Sequence, residues 1–270
     1  MKATLTELLE NVVLRRQALL DEHSEYDLHQ LRVSVRRLRS LLRFEEQPGA
    51  WQLRREWGYL ISHTNPARDW DTLAERLDNL PQDQQPVALI EVVDGHRRQI
   101  WKDVVRSLRN QAWDETASHM SAYLEKAFED ERAPPGPDSQ IGEARVRVEQ
   151  SWQRAQANGD NRSWHKLRSA IKDLRYNLES FPPGTVDEPV ALCERIQEHL
   201  GAWHDCLMHR ELLQVVDREM PANERSAREA IARLDTELFA ESMRCLKETR
   251  HVMAARAKLL ERHSGGTEGN

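Results

Sequence analysis

An all-α fold is what this sequence predicts, on three observations. Charged residues fill 31% of the 270 positions and aromatics only 6%. The eleven glycines and eleven prolines are few for a turn-rich sandwich or barrel. Between clusters of prolines, apolar residues recur at the spacing that builds one face of a helix.

Taken in order, the first half is punctuated by Pro48-Gly49, Pro66, Pro81 and Pro86. The stretch Val87–Ala133 has no proline and reads as one long helix or two, with Gly95 as a weak point near its start. Ala133-Pro134-Pro135-Gly136-Pro137 is the strongest break in the chain, because three prolines in four residues cannot continue a helix. A helix is expected from about Ser139 to Ala157, then a loop at Asn158–Asn161, another helix, a break at Pro182-Pro183-Gly184, and two or three further helices. The tail 264–270 is expected to be disordered.

An internal register appears when the second half is slid onto the first by 136 residues. His29, Leu31 and Arg32 fall on His165, Leu167 and Arg168. Val35, Arg36, Leu38, Arg39 and Leu42 fall on Ile171, Lys172, Leu174, Arg175 and Leu178 without a gap. Asp27 and Ser163 are the expected N-caps, and a Pro-Gly closes each segment. Asn65-Pro66-Ala67-Arg68-Asp69 falls on Gly201-Ala202-Trp203-His204-Asp205, so a shared loop-helix junction is expected there. The pattern reads as a duplicated helical unit.

On a helix, Leu31, Val35, Leu38 and Leu42 form one stripe and His29, Arg32, Arg36, Arg39 and Arg43 a second. From Leu28 to Phe44 there are five arginines and no acid, although the whole chain carries a net charge of -6. Like charges at this spacing repel, so a solvated face would normally mix signs. A single-signed array in an acidic protein points to an anion, whose oxygens suit the planar arginine fork. The second segment repeats the design with His165, Arg168, Lys172 and Arg175, with Glu179 in the place of Arg43.

The segment His29–Arg43 (HQLRVSVRRLRSLLR) and the segment His165–Tyr176 (HKLRSAIKDLRY) resemble the two signature helices of the CHAD family, the conserved histidine α-helical domain. Pro66–Asp71 and Leu200–Asp205 resemble its paired loop motifs, with Asn65 where glycine often stands and His204 in the place matched by Arg68. The resemblance implies two helical bundles related by a pseudo-twofold axis around a basic central groove that binds inorganic polyphosphate. The implied binding residues are His29, Arg32, Arg36, Arg39, Arg43 and Arg68, with His165, Arg168, Lys172, Arg175, Tyr176 and His204. Residues 1–263 would form the domain, as repeat 1 (about 1–133), a linker (134–138) and repeat 2 (about 139–263). The expected protein is a stand-alone, non-enzymatic binder without metal or cofactor.

Other classes fit less well. His199, His204 and His209 stand five apart, which turns successive side chains onto different helix faces and is poor spacing for an HD-type metal phosphohydrolase. No GxxxxGK[ST] loop is present, and no Ser or Cys nucleophile site stands out. A nucleic-acid backbone binder is the second alternative, since a polyanion groove could accept a phosphodiester backbone, but nucleic acid is not the expected partner: Tyr176 is the one aromatic candidate beside the stripes, and base stacking is not indicated. Trp57, Trp101 and Trp203 read as packing residues, and the three cysteines, without CxxC spacing, as reduced core residues. The longest uncharged stretches fall short of the roughly 20 residues a membrane span needs. Acids in MKATLTELLENVVLRR oppose a secretory signal. The expected location is the cytoplasm, with polyphosphate granules a candidate place within it.

Overall fold

The computed structural model describes residues 2–45, 47–81, 85–127, 137–179, 184 and 186–254. Among them are ten α-helices, one 3-10 turn and no strand. The helices are α1 (Lys2–Asp21), α2 (Glu25–Leu41), α3 (Ala50–Ser62), α4 (Asn65–Asp78), α5 (Val87–Leu108), α6 (Ala112–Ala127), α7 (Pro137–Asn158), α8 (Asn161–Leu178), α9 (Asp187–Glu219) and α10 (Arg225–Met253); the 3-10 turn is Leu42–Phe44. No helix among the described residues is long and apolar enough to cross a membrane. Pro134–Gly136, Pro182-Pro183 and the tail 264–270 lie outside the described residues.

The chain forms two compact units. Met1–Arg132 and Asp205–Ala240 make the first, Ala133–His204 and Glu241–Asn270 the second. In the first, Leu31, Val35 and Leu38 of α2 pack with Leu5 and Val12 of α1, Leu53 and Trp57 of α3, and Trp113 and Met120 of α6. The Trp57 and Trp113 rings meet edge to face at 6.0 Å. A further cluster joins Trp70, Leu73 and Leu77 of α4 and Leu89 and Val93 of α5 to Leu213, Val216, Ile231, Leu234 and Leu238 of α9 and α10. In the second unit Leu167, Ile171, Leu174 and Leu178 of α8 are buried, and Trp152 of α7 meets Trp164 edge to face at 6.1 Å. Trp57 and Trp203 are buried as expected, whereas Trp101 is partly buried beneath the stacked ring of His23, 3.9 Å away. Cys193 and Cys206 are buried, and burial pushes the Cys193 thiol up to about 12.

The helix starts follow the register of the sequence: α8 begins 136 residues after α2. The caps lie one turn earlier than expected. Ser24 and Asp160 accept the backbone N–H groups of Asp27 and Ser163 at 3.1 and 2.6 Å, so the two expected caps are the third helical residues. Ser24, Asp27, Asp160 and Ser163 are all good caps by type, and residue type alone cannot choose between them. Gly49 (φ 98°) and Gly184 (φ 87°) both take the left-handed conformation that favours glycine in the turns before α3 and α9.

The proline-free stretch holds two helices, and Gly95 lies within the first, where the roughly 1 kcal/mol that glycine costs a helix is outweighed by burial of Leu89, Val93, Val104 and Leu108. The break comes at residues 109–111, where the Asn110 side chain accepts the Ala112 N–H at 2.9 Å. α7 begins at Pro137, a residue tolerated in a first helical turn, so the end of the expected linker is helical. The shared loop-helix junction exists only in the first half. Pro66 cannot continue α3 and instead sits in the first turn of α4, whereas nothing around Gly201 stops α9, which runs unbroken through Trp203, His204 and Asp205.

Candidate anion-binding site

The apolar stripe of α2 fixes which side chains turn outward. Leu28, Leu31, Val35 and Leu38 are buried, which leaves His29, Arg32 and Arg36 along the opposite edge. Arg68, in the first turns of α4, joins them, since the Arg68, Arg36 and Arg32 charges all act on His29. Burial, then those three cations, lowers the basicity of its imidazole.

Arg32 is held in place from the α3–α4 junction. Its Nη1 donates to Thr64 Oγ1 at 2.8 Å and to Asn65 Oδ1 at 2.7 Å, while Thr64, fully buried, donates its own hydroxyl to the Ile61 carbonyl at 2.8 Å. Arg36 Nε donates back to the Arg32 carbonyl at 3.1 Å. Asp69 stands beside the cluster: burial pushes its carboxyl up to about 6, Arg32 and Arg68 pull it down, and Asp205 and Glu211 push it up. Thr64 and Asn65 were not legible as positioning residues. Asn65 showed in the sequence only as a departure from glycine, and the contact it makes spans 33 residues.

The far end of the stripe has other partners. Arg39 Nε donates to the Arg54 carbonyl at 3.1 Å, and its guanidinium lies against Gly58, where a Cβ would stand 2.9 Å from Cζ. Burial and the Arg54 charge lower its basicity. Arg43 has left the α-helix and sits, partly buried, in the 3-10 turn.

The second unit assembles the same four positions. His165, Arg168 and Lys172 line α8, and His204 of α9 places its ring 5.3 Å from that of His165, tilted by 58°. Burial, then Arg168, His165 and Lys172, pushes the His204 imidazole down to about 4, and burial with Arg168 and Lys172 lowers that of His165. Arg175 departs from the row. It pairs with Glu179 at 3.0 Å and Glu194 at 3.3 Å and lies over the Tyr176 ring at 5.1 Å, so acids offset its charge and it occupies the tyrosine face. Of the three histidines weighed as metal ligands, His204 faces His165, while His209 is buried with Nε2 3.1 Å from Thr72 Oγ1. Among the described residues no three His, Cys, Asp or Glu side chains converge in a way that would hold a metal ion.

His29, Arg32, Arg36 and Arg68 therefore meet in one unit, and His165, Arg168, Lys172 and His204 in the other. Chemically, each cluster offers fixed cations and at least one imidazole able to take up a proton, which suits oxyanions.

The fold and these clusters define an all-helical protein with a His/Arg-lined helix in each unit. The sequence profile of the CHAD domain matches residues 3–214, and the chain belongs to that family. The crystal structure of the CHAD domain from the plant Ricinus communis is similar, with 25% identity and a TM-score of 0.76 over 97% of this chain and 91% of that one. PptA from Streptomyces chartreusis shares the fold at 15% identity, with a TM-score of 0.73 over 94% of this chain and 96% of its own. Comparison with curated protein sequences gave no match.

Proposed function

We propose that this CHAD protein binds inorganic polyphosphate non-covalently, without catalysing its turnover, in the cytoplasm or at polyphosphate granules. The observation that carries the reading is the recurrence of one four-position cluster in both units, two or three fixed cations with one or two histidines each. Membership of the family supports it. Along α2 the row from His29 to Arg36 extends about 10 Å at 1.5 Å per residue, and Arg68 broadens it. A run of several phosphates uses such a row better than a single phosphate ester does. Arg39 and Arg175 contribute less to the ligand in this reading, because the α3 backbone and two glutamates already hold them.

The test is a titration with long-chain polyphosphate, tripolyphosphate, DNA and RNA at two salt concentrations. Affinity for the long chain should fall steeply with salt, by analogy with single-stranded nucleic acid, where each phosphate contact adds roughly -0.7 to the log-log slope. Arg36→Glu and Lys172→Glu should each weaken long-chain binding tenfold or more with the fold intact, and the double variant should abolish it. Equal affinity for tripolyphosphate and the long chain would sink the extended-row reading. Loss of thermal stability with binding unchanged would make the two residues structural.

A further inference from the structure

We infer that the outer face of α3 is a stacking surface for single-stranded nucleic acid, built from residues other than those of the His/Arg clusters. Tyr176, beside the cationic stripe of α8, is partly buried and offers little open ring surface. Tyr26 of α2 and Phe239 of α10 are exposed as single rings, whereas α3 exposes two. Trp51 and Tyr59 are 64% and 66% exposed, in a protein that buries Trp57, Trp113, Trp164 and Trp203.

Trp51, Arg55, Tyr59 and His63 follow one another at intervals of four and share one side of α3, opposite the buried Leu53, Trp57 and Leu60. The row spans about 18 Å. Its members already associate as planar groups: the Arg55 guanidinium lies 4.7 Å from the centre of the Trp51 ring, and Tyr59 and His63 meet edge to face at 4.7 Å.

Charge favours a polyanion there. Arg54 and the guanidinium of Arg39 flank the row on the α2 side. The one acid of α3, Glu56, is partly buried and already partnered: its carboxylate accepts from Gln52 Nε2 at 2.8 Å and lies 3.4 Å from His119 of α6. The remaining exposed residues of this face, Gln52 and Ser62, are polar, so no aliphatic side chain offers an anchor to a protein partner. Inorganic polyphosphate has no ring to lay on Trp51 or Tyr59. A ligand that combines a phosphate backbone with flat, stackable bases uses both features, as in single-strand binders where aromatic platforms line a cationic track.

The experiment uses the full chain and a fluorescein-labelled oligouridylate of about 15 nucleotides. An abasic oligomer of equal length and an excess of long-chain polyphosphate serve as comparison ligands. The base-bearing strand should bind at low salt and the abasic strand at least tenfold more weakly. Trp51→Ala with Tyr59→Ala should cut oligonucleotide affinity at least tenfold while polyphosphate affinity and the thermal midpoint stay unchanged, both side chains being exposed. Equal binding of base-bearing and abasic strands, an unaltered affinity in the double variant, or no oligonucleotide binding at all would each overturn the proposal. Because polyphosphate is titrated separately, loss of that activity with oligonucleotide binding intact would count against the proposed function alone.

Discussion

At the scale of single residues, His204 and Asp69 respond to pH in opposite senses. The His204 imidazole lies near 4 against an ordinary value of about 6.5, so between those two values the unfolded chain binds more protons than the folded one. That contribution to stability is complete above about pH 6.5 and is lost as pH falls toward 4. The Asp69 carboxyl, raised to about 6, makes the folded chain the better proton binder between about pH 6 and the ordinary carboxylate value near 4, so it adds stability as pH falls. His204→Gln should therefore reduce the loss of thermal stability between pH 7 and pH 5, and Asp69→Asn should enlarge it. An anion in the clusters reverses the pressure on the imidazoles and draws protons in. Calorimetric titration of polyphosphate at pH 6 in two buffers of different ionisation enthalpy should show net proton uptake. The uptake should shrink in the His29→Gln, His165→Gln, His204→Gln variant. Because all three imidazoles are depressed, affinity should climb mainly below about pH 6.5. Absence of uptake in the unmodified protein would assign the three rings to packing.

At the scale of elements, the caps give a direct test of how α2 and α8 are started. Ser24→Ala removes the acceptor for the Asp27 N–H and should cost about 1 kcal/mol in urea denaturation. Asp160→Ala should destabilise in the same direction, and Asp160→Asn, which keeps a side-chain acceptor, should restore most of the loss. An unchanged midpoint for Ser24→Ala would show that the first turn is held by packing alone. The amphipathic stripes of α2 and α8 were legible in the sequence because periodicity is local: each residue declares its face by its distance from the next leucine. What Arg39 and Arg175 do was not legible. Arg39 reaches a carbonyl 15 residues away over a glycine on α3, and Arg175 meets Glu194 from 19 residues away, so the stripe rule assigned both to the ligand from spacing alone. Trp51 and Tyr59 escaped for a related reason. An exposed aromatic and a buried one look alike in a sequence until the helix has been given its inner face.

At the scale of the whole molecule, the register of the sequence and the folding units do not share boundaries. The sequence separates at the prolines near residue 134, yet Asp205–Ala240 belongs to the compact unit of Met1–Arg132. The side chains that complete the cluster under α4 and α5 are Leu213, Val216, Met220, Ile231, Leu234 and Leu238, all buried. Burying one such side chain contributes about 1.5–3 kcal/mol, so the six together match the whole stability of an ordinary domain, about 5–15 kcal/mol. A fragment of residues 1–132 should therefore fold in part. Helices α1, α2, α3 and α6 keep their own core around Leu31, Trp57 and Trp113, whereas α4 and α5 lose the surface against which Trp70, Leu73, Leu77, Leu89 and Val93 pack. Hydrogen exchange on the fragment should find α2 and α3 protected and α4 and α5 open, with added fragment 133–270 restoring protection to both. Arg68 rides on α4, so the fragment should also bind polyphosphate more weakly than the whole chain does, and recover when the partner fragment is added. Uniform protection across α2 to α5 in the isolated fragment would show that the first half is self-sufficient and that the segment 205–240 only covers a core already formed.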